Sequence, residues 1–425
     1  MNRIWFSFYN ILVVPGLYIL LHIASLFNAK VKKGLKGRKR ILEDLIIQAA
    51  SLNKSKKLIW FHSSSLGEFE QAKPIIEKLK EKNNINILVT FFSPSGYENS
   101  KKYPYADLVS YIPFDSVSKA KNFINIVKPD LAVIMRYDIW PNHVKALVDA
   151  GIPSILADAT MKERSLRKVP LVKNFHEKLF SNITRILTVS ETDALGFNQF
   201  GCSEEQLEIV GDTRFDRVHQ KSLKAKESRL INDEVLRGKK VIVAGSTWTA
   251  DEDVILPAFI KLSKYVDDIV LIIAPHEPTL LHIENIENEI YKYAKSIRFS
   301  HLHNYKNEKV IIVDSIGILM TLYSYADIAF IGGGFKYNVH NVLEAAVYGV
   351  PVLFGPKIEN SQEAAELAKR GGGIVISNKK HAYRQLRNLF LDDKLRELKA
   401  EISFNYVEQN LGATEKIIKE IYRLI

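Results

Sequence analysis

From Lys57 onward, short continuous apolar runs alternate with polar or amphipathic stretches. The first half offers 58–62 (LIWFH), 85–92 (INILVTFF), 131–135 (LAVIM), 154–159 (SILADA) and 185–190 (RILTVS). A second series follows at 240–246 (KVIVAGS), 269–275 (IVLIIAP), 310–315 (VIIVDS), 328–334 (IAFIGGG) and 351–355 (PVLFG). Unbroken apolar runs separated by helical stretches predict parallel strands buried on both faces. Two such series predict an α/β chain with two Rossmann-like, doubly wound domains. The stretch Gln220–Lys239 is charged and lacks strand character, so the domains are expected over 41–220 and 221–425. The amphipathic helices after Leu391 are candidates for packing back across that junction.

Ahead of these series, Ile4–Ala29 carries no Asp, Glu, Lys or Arg. As one helix it would be roughly 39 Å long at about 1.5 Å per residue, enough for a hydrocarbon core of about 30 Å. Pro15-Gly16 is expected to kink or break it. Lys30–Arg40 follows with seven cations and no anion, and supplies most of the net charge of +11. Residues 1–40 therefore read as a membrane anchor that either spans the bilayer or lies on its surface. The cations are expected on the cytoplasmic side, against anionic lipid. Nucleic acid is not the expected partner, because the cations form a block after an apolar segment and are not interleaved with aromatics on a folded face. With 425 residues, 47% of them apolar and 25% charged, the chain has ample material for two cores. Its one cysteine, Cys202, permits no internal disulfide, and no Cys/His cluster has zinc spacing.

The strongest local chemical signal is residues 331–355 (IGGGFKYNVHNVLEAAVYGVPVLFG). A strand runs into Gly332-Gly333-Gly334, and a helix is expected to open near Asn341. Glycines allow close backbone approach to a ligand, and the first amides of a helix attract phosphate. The spacing is not the dinucleotide fingerprint G-x-G-x-x-G. Glu344 is placed to bind ribose hydroxyls, while Asn341-x-x-Glu344 also reads as a capping box. Three more strand-end loops are expected at the same sheet edge. They are Gly245-Ser246-Thr247, Pro275-His276-Glu277-Pro278 and Asp314-Ser315-Ile316-Gly317-Ile318. Thr249-x-x-Glu252 reads as a helix cap.

In the first half, residues 62–68 (HSSSLGE) follow the first strand. Glu68 at the strand-to-helix turn is either a carboxylate base facing a cleft or a residue favouring a helix N-terminus. The serines lack the G-x-S-x-G setting of a nucleophile. Arg136-Tyr137-Asp138-Ile139-Trp140-Pro141-Asn142 follows another strand. Residues 211–216 (GDTRFD) close the domain, with Arg214 reaching an interdomain cleft, where it would steady phosphate charge, or being a surface arginine or part of an interdomain salt bridge.

In this order, HSSSLGE, WPN, GDTRFD, GST, DSIGIL and GGGF…HNVLEAA resemble the bacterial 3-deoxy-D-manno-octulosonic acid (Kdo) transferases of lipopolysaccharide assembly. The resemblance covers nearly the whole chain. It implies a glycosyltransferase-B fold, a CMP-Kdo donor, a lipid A precursor as acceptor, and an inverting transfer without metal or cofactor at the cytoplasmic face of the inner membrane. Glu68 matches the family's catalytic base and Arg214 its G-x-x-[KR]-[FY]-D cation. Ile316, Gly317 and Ile318, together with Asn341, Val342, Leu343 and Glu344, match its CMP-contacting loops; Ser246, His276 and Glu277 join them as donor candidates. Three positions depart from the pattern. E-x-E-x-W-P-N becomes Arg136-Tyr137-Asp138, leaving Asp138 as the candidate acid. P-R-H-P becomes Pro275-His276-Glu277-Pro278. G-S-T-H becomes Gly245-Ser246-Thr247-Trp248. The departures keep two alternatives open: a UDP-sugar transferase of the same fold, and a non-catalytic, membrane-tethered nucleotide-sugar binding protein.

Overall fold

In the computed structural model, which describes residues 3–81, 84–161 and 165–425, the apolar runs form two seven-stranded sheets. Met1 and Asn2, at the start of the expected anchor, lie outside the described residues. The first sheet contains β1 (Lys57–Ser63), β2 (Ile85–Phe91), β3 (Leu108–Tyr111), β4 (Leu131–Met135), β5 (Ser154–Ala159), β6 (Arg185–Thr188) and β7 (Leu207–Ile209). Their order across the sheet is β3-β2-β1-β4-β5-β6-β7. The second contains β8 (Lys240–Thr247), β9 (Ile269–Pro275), β10 (Ser296–Arg298), β11 (Val310–Ile312), β12 (Ile328–Ile331), β13 (Val352–Phe354) and β14 (Gly373–Val375), in the order β10-β11-β9-β8-β12-β13-β14. Every described pairing in both sheets is parallel. Parallel strands need crossover helices, which cover both faces, and β2, β4, β5 and β9 are accordingly buried along their whole length.

The ten central strands coincide with the ten apolar runs. The four strands with no such signal, β3, β7, β10 and β14, are the sheet edges. An edge strand has one neighbour and less cover; β10 is only half-buried throughout, and Ile209 at the end of β7 is exposed. Such segments need no continuous apolar run, so they escape a pattern search.

Each sheet reverses its winding direction once. In the first the reversal falls between β1 and β4, and in the second between β8 and β12. Ligands of open α/β sheets bind outside the carboxyl ends of strands at such switch points. Glu68 follows β1 and Asp138 follows β4; Ser246 ends β8 and the three glycines follow β12.

The chain folds as two compact units, 1–217 with 411–425, and 218–410. The last fifteen residues thus leave the second domain to which 221–425 would assign them. The Ala413–Leu424 helix buries Ile417 and Ile421 in the first unit's core, with Phe69, Ile75 and Ile76 of the Leu66–Glu81 helix. Asp216, last residue of the GDTRFD motif, accepts the Gly412 and Thr414 amides at 2.7 and 2.6 Å and so caps this helix.

The N-terminal apolar segment is helical from Arg3 to Phe27, and Trp5–Phe27 is long and apolar enough to cross a membrane. Pro15 does not break it. The turn before the proline widens to a π-helix over Tyr9–Val13, with the Val14 amide bonding the Tyr9 carbonyl. A wider turn relieves the clash between a proline ring and the carbonyl four residues back. Of the seven cations in the basic run, Arg38 is buried. Its guanidinium donates to the carbonyls of Gly34, Phe92 and Ile112 and lies over the Phe92 and Tyr111 rings.

Ile421→Ala should destabilise the first unit by about 2–5 kcal/mol, the cost of a cavity in a closed core. Hydrogen exchange should show faster opening in β1 and β2 and unchanged protection in β8 and β9.

Candidate active site

In the first unit, β1 delivers a buried polar relay to the sheet edge. The His62 side chain is 1% exposed. Its Nε2 lies 2.9 Å from Asp138 Oδ2, and its Nδ1 lies 2.8 Å from Thr90 Oγ1. A carboxylate only accepts, so Nε2 carries a proton toward Asp138. Thr90 in turn accepts the Trp60 indole N–H at 2.8 Å. Burial alone would raise the Asp138 carboxyl, but the hydrogen bond and charge of His62 and the Trp140 indole N–H outweigh it and hold it below the usual range.

Glu68 sits in the first turn of the Leu66–Glu81 helix and is 8% exposed. Its Oε2 accepts the Ser64 amide at 2.6 Å. Burial pushes this carboxyl up. Asp138's charge adds to the rise, while the Ser64 amide, His62 and Arg136 pull the other way. Two acids are thereby set apart by environment, one held ionised and one more basic than an ordinary glutamate.

A second cluster lies behind them. Arg136, at φ +60°, occupies the left-handed region that non-glycine residues rarely adopt, and so does Asp158 at φ +49°. Such strain persists only where surroundings over-determine it, and it gathers at functional sites. Arg136 Nη1 donates to Gln71 Oε1 at 3.3 Å, and Gln71 Nε2 donates to Asp212 Oδ1 at 3.2 Å. Asp212 holds Arg214 through Nε at 3.0 Å and Nη2 at 2.6 Å. Asp158 is fully buried and accepts the Thr213 hydroxyl and, at 3.2 Å, its amide. Burial and the neighbouring Asp212 charge push Asp158 up. For Asp212 burial acts in the same direction, but the Arg214 charge and hydrogen bonds overcome it and bring the group down. The Arg214–Asp212 ion pair lies within the first unit and leaves the Arg214 side chain 35% exposed.

In the second unit the strand-end loops of β8, β9 and β12 meet. The Trp248 and His276 rings lie 4.7 Å apart, and His276 stacks on His340 at 4.5 Å and 14°. Trp248 Nε1 donates to His340 Nε2 at 3.2 Å, so the proton of neutral His340 sits on Nδ1. Burial, helped by His276, lowers His340 to about 4. The loop after β11 lies at the edge of the neighbouring strand. There Gly317 has φ +90° and Ile316 is exposed, while Asp314 is tied to Ser300.

The glycines after β12 serve packing rather than an open phosphate cradle. A Cβ on Gly332 would stand 2.2 Å from the Ser246 carbonyl, and one on Gly334 2.7 Å from the Gly355 backbone. Gly333 has φ +91°. Asp251, 0% exposed, ties this loop to β8: it accepts the amides of Trp248 at 3.0 Å, Gly333 at 2.7 Å and Phe335 at 3.3 Å. The helix cap after β8 is thus Trp248 with Asp251, one position before the expected Thr249-x-x-Glu252. Glu252 instead accepts Thr247 Oγ1 and contacts His282, each at 2.8 Å.

The helix expected from Asn341 spans only Leu343–Ala346. Asn341 Oδ1 accepts the Leu343 amide at 3.2 Å, and its Nδ2 donates to Glu344 at 3.3 Å. Val342 and Leu343 are fully buried. Four residues make a weak dipole, so the amides of this turn matter more than a helix field. His62, Gln71, Asp158, Asp251 and His340 escaped sequence reasoning. Each is one polar residue inside a strand, helix or loop, and only its long-range partner reveals it.

Two doubly wound units with polar clusters at their switch points define a glycosyltransferase-B type fold. The solved structure of a UDP-GlcNAc 2-epimerase from Neisseria meningitidis shares that architecture at a TM-score of 0.61 and 17% identity, covering 87% of this chain and 100% of that one. Residues 39–217 match the model of the 3-deoxy-D-manno-octulosonic-acid transferase (kdotransferase) family. A 3-deoxy-D-manno-octulosonic acid transferase from Aquifex aeolicus is 30% identical over 84% of this chain and 94% of its own length. The chain belongs to that family of glycosyltransferases. A bifunctional glycosyltransferase/methyltransferase from Fusobacterium nucleatum is 28% identical over 92% of this chain, which spans 63% of that longer protein.

Asp251→Ala should cost roughly 1.5–3 kcal/mol, since it removes a buried carboxylate from three backbone donors. NMR should show faster amide exchange at Gly333 and Phe335, while the amides of β9 stay protected.

Proposed function

We propose that this chain transfers Kdo from CMP-Kdo to a lipid A precursor at the cytoplasmic face of the inner membrane, with inversion at the anomeric carbon. The observation that carries this reading is Glu68. It is a buried carboxylate at a switch point, pushed up in pKa, within a member of the Kdo transferase family. The acceptor hydroxyl attacks the anomeric carbon, and its proton passes to Glu68 as the new C–O bond forms. The bond from that carbon to the phosphate oxygen breaks, and its electron pair leaves with CMP. A single displacement inverts the centre. A base poised nearer neutral pH than an ordinary glutamate takes this proton more effectively. Asp138, held ionised by His62, steadies Glu68's pKa and the surrounding hydrogen bonds. Arg214, oriented by Asp212, supplies positive charge for the departing phosphate.

The second unit holds the nucleotide. Ser246, the His276-Glu277 loop, the Ile316-Gly317-Ile318 loop and the Asn341–Glu344 turn carry the donor contacts. The basic run after the apolar helix supplies attraction to anionic lipid. No resident metal or cofactor enters this reading.

Mass spectrometry of a lipid A precursor incubated with the protein and CMP-Kdo should show Kdo added. An unchanged lipid, with transfer from a UDP-sugar in its place, would overturn the donor assignment. Glu68→Ala should lower kcat by about 10²–10⁴-fold and leave CMP affinity near that of the parent, measured by calorimetry. Asp138's charge contributes to the raised Glu68 pKa. Asp138→Asn should therefore move the acidic limb of the kcat/KM profile to lower pH, and a shift to higher pH would contradict the coupling.

A further inference from the structure

The N-terminal helix is long enough to span a bilayer, yet it is fastened to the first unit at Tyr9, Asn10 and Tyr18. Tyr9 Oη donates to Asp115 Oδ2 at 2.8 Å, and Asn10 Oδ1 accepts Asn142 Nδ2 at 2.8 Å. Asp115 and Asn142 are themselves buried. The Tyr9 ring stacks on Phe175 at 5.8 Å, and Tyr18 meets Phe114 edge-on at 5.6 Å. Tyr9 and Tyr18 are roughly 13 Å apart along the helix axis at about 1.5 Å per residue. In a spanning helix both would stand at hydrocarbon depth, where a water-soluble α/β unit cannot follow them.

Burial follows helical spacing. Phe6, Asn10, Val14, Leu17 and Leu21 are half-buried, while the opposite face exposes Ile11, Leu20, Leu26 and Phe27 at 71%, 65%, 78% and 86%. The free face is mostly apolar, with Ser7 and His22 among its exposed residues, and Tyr9 and Asn10 find their polar partners on the first unit. The basic stretch begins directly after Phe27. Asn28 caps the Ala29–Gly37 helix, which exposes Lys30, Lys32 and Lys36, and buried Arg38 fixes that helix to the ends of β2 and β3 through Phe92 and Ile112. A cavity of about 180 Å³ lined by Lys39, Arg40, Lys119 and Phe114 shares Phe114 with the Tyr18 contact.

We propose that the Arg3–Phe27 helix lies in the membrane plane, its free face sunk in one anionic phospholipid leaflet and its other face docked on the first unit through Tyr9–Asp115 and Asn10–Asn142. An apolar face beside a fixed cationic helix complements an anionic leaflet, whereas a second copy would bring the same cations against each other. The proposal stands independently of the donor and acceptor assignments.

Two measurements test it on the full chain. In the first, a protease-cleavable epitope is fused ahead of Met1, and inverted inner-membrane vesicles, which expose the cytoplasmic face, are treated with protease. The epitope should be removed without detergent, as fast as from solubilised protein. Protection until detergent is added means a spanning helix and overturns the proposal. In the second, flotation is compared between phosphatidylglycerol-containing and pure phosphatidylcholine vesicles. Binding should favour the former, and a Leu20→Asp/Leu26→Asp variant should lose on the order of tenfold in bound fraction. Unchanged flotation of that variant, or a lipid-free dimer that the variant splits, would assign the free face to another occupant. The sidedness arm needs no substitution in the chain, so it stands even if the variant folds poorly.

Discussion

In a sheet whose strands all run the same way, every loop leaving a carboxyl end emerges at one edge. Both units obey this constraint throughout their described pairings, and the chemistry of the protein depends on it. Residues as distant in sequence as His62 and Asp138 become hydrogen-bond partners because β1 and β4 are neighbours across the switch point. Trp248, His276 and His340 meet because β8, β9 and β12 are neighbours across the other. Helices on both faces leave the edge as the place where polar groups can gather without burying unpaired charge in the core.

Within the first unit, environment divides the work between two carboxylates. Asp138 has a histidine and an indole as donors, and Glu68 has one backbone amide and a buried setting. Arg136 changes the charge around them. Arg136 lowers Glu68, Asp158 and Asp212 alike. It therefore offsets part of the negative charge of this edge instead of adding to it. In the second unit, Trp248, His276 and His340 form an aromatic and imidazole stack, with His340 kept neutral by burial. A planar stack of aromatic and imidazole rings offers flat faces for contact with another ring.

The central strands were legible because burial on both faces leaves an unbroken apolar run, and the edges were not because one face and one ladder are open. Glu68, Asp138 and the second unit's loops were legible as strand-end residues, whose position alone marks them. The length of the helix after Asn341 was not. Its turn ends at Tyr348-Gly349, and the packing of Val342 and Leu343 matters more there than capping chemistry. The three glycines showed that backbones come close, but not that the partner is the protein's own backbone at Ser246 and Gly355. Nothing local marks Asp216 as the cap of a helix nearly two hundred residues later. That link depends on the chain's return to the first unit, which hydrophobic periodicity does not encode.

The account turns on Glu68 as the group whose deprotonated form does the chemistry. Its carboxyl can be followed by NMR in protein labelled at glutamate side chains, with Glu68→Gln fixing the assignment, and compared with the acidic limb of kcat/KM. The account predicts a titration midpoint above the ordinary glutamate value of about 4.3 and coincident with that limb. An ordinary midpoint, or a limb that follows a different group, would contradict it.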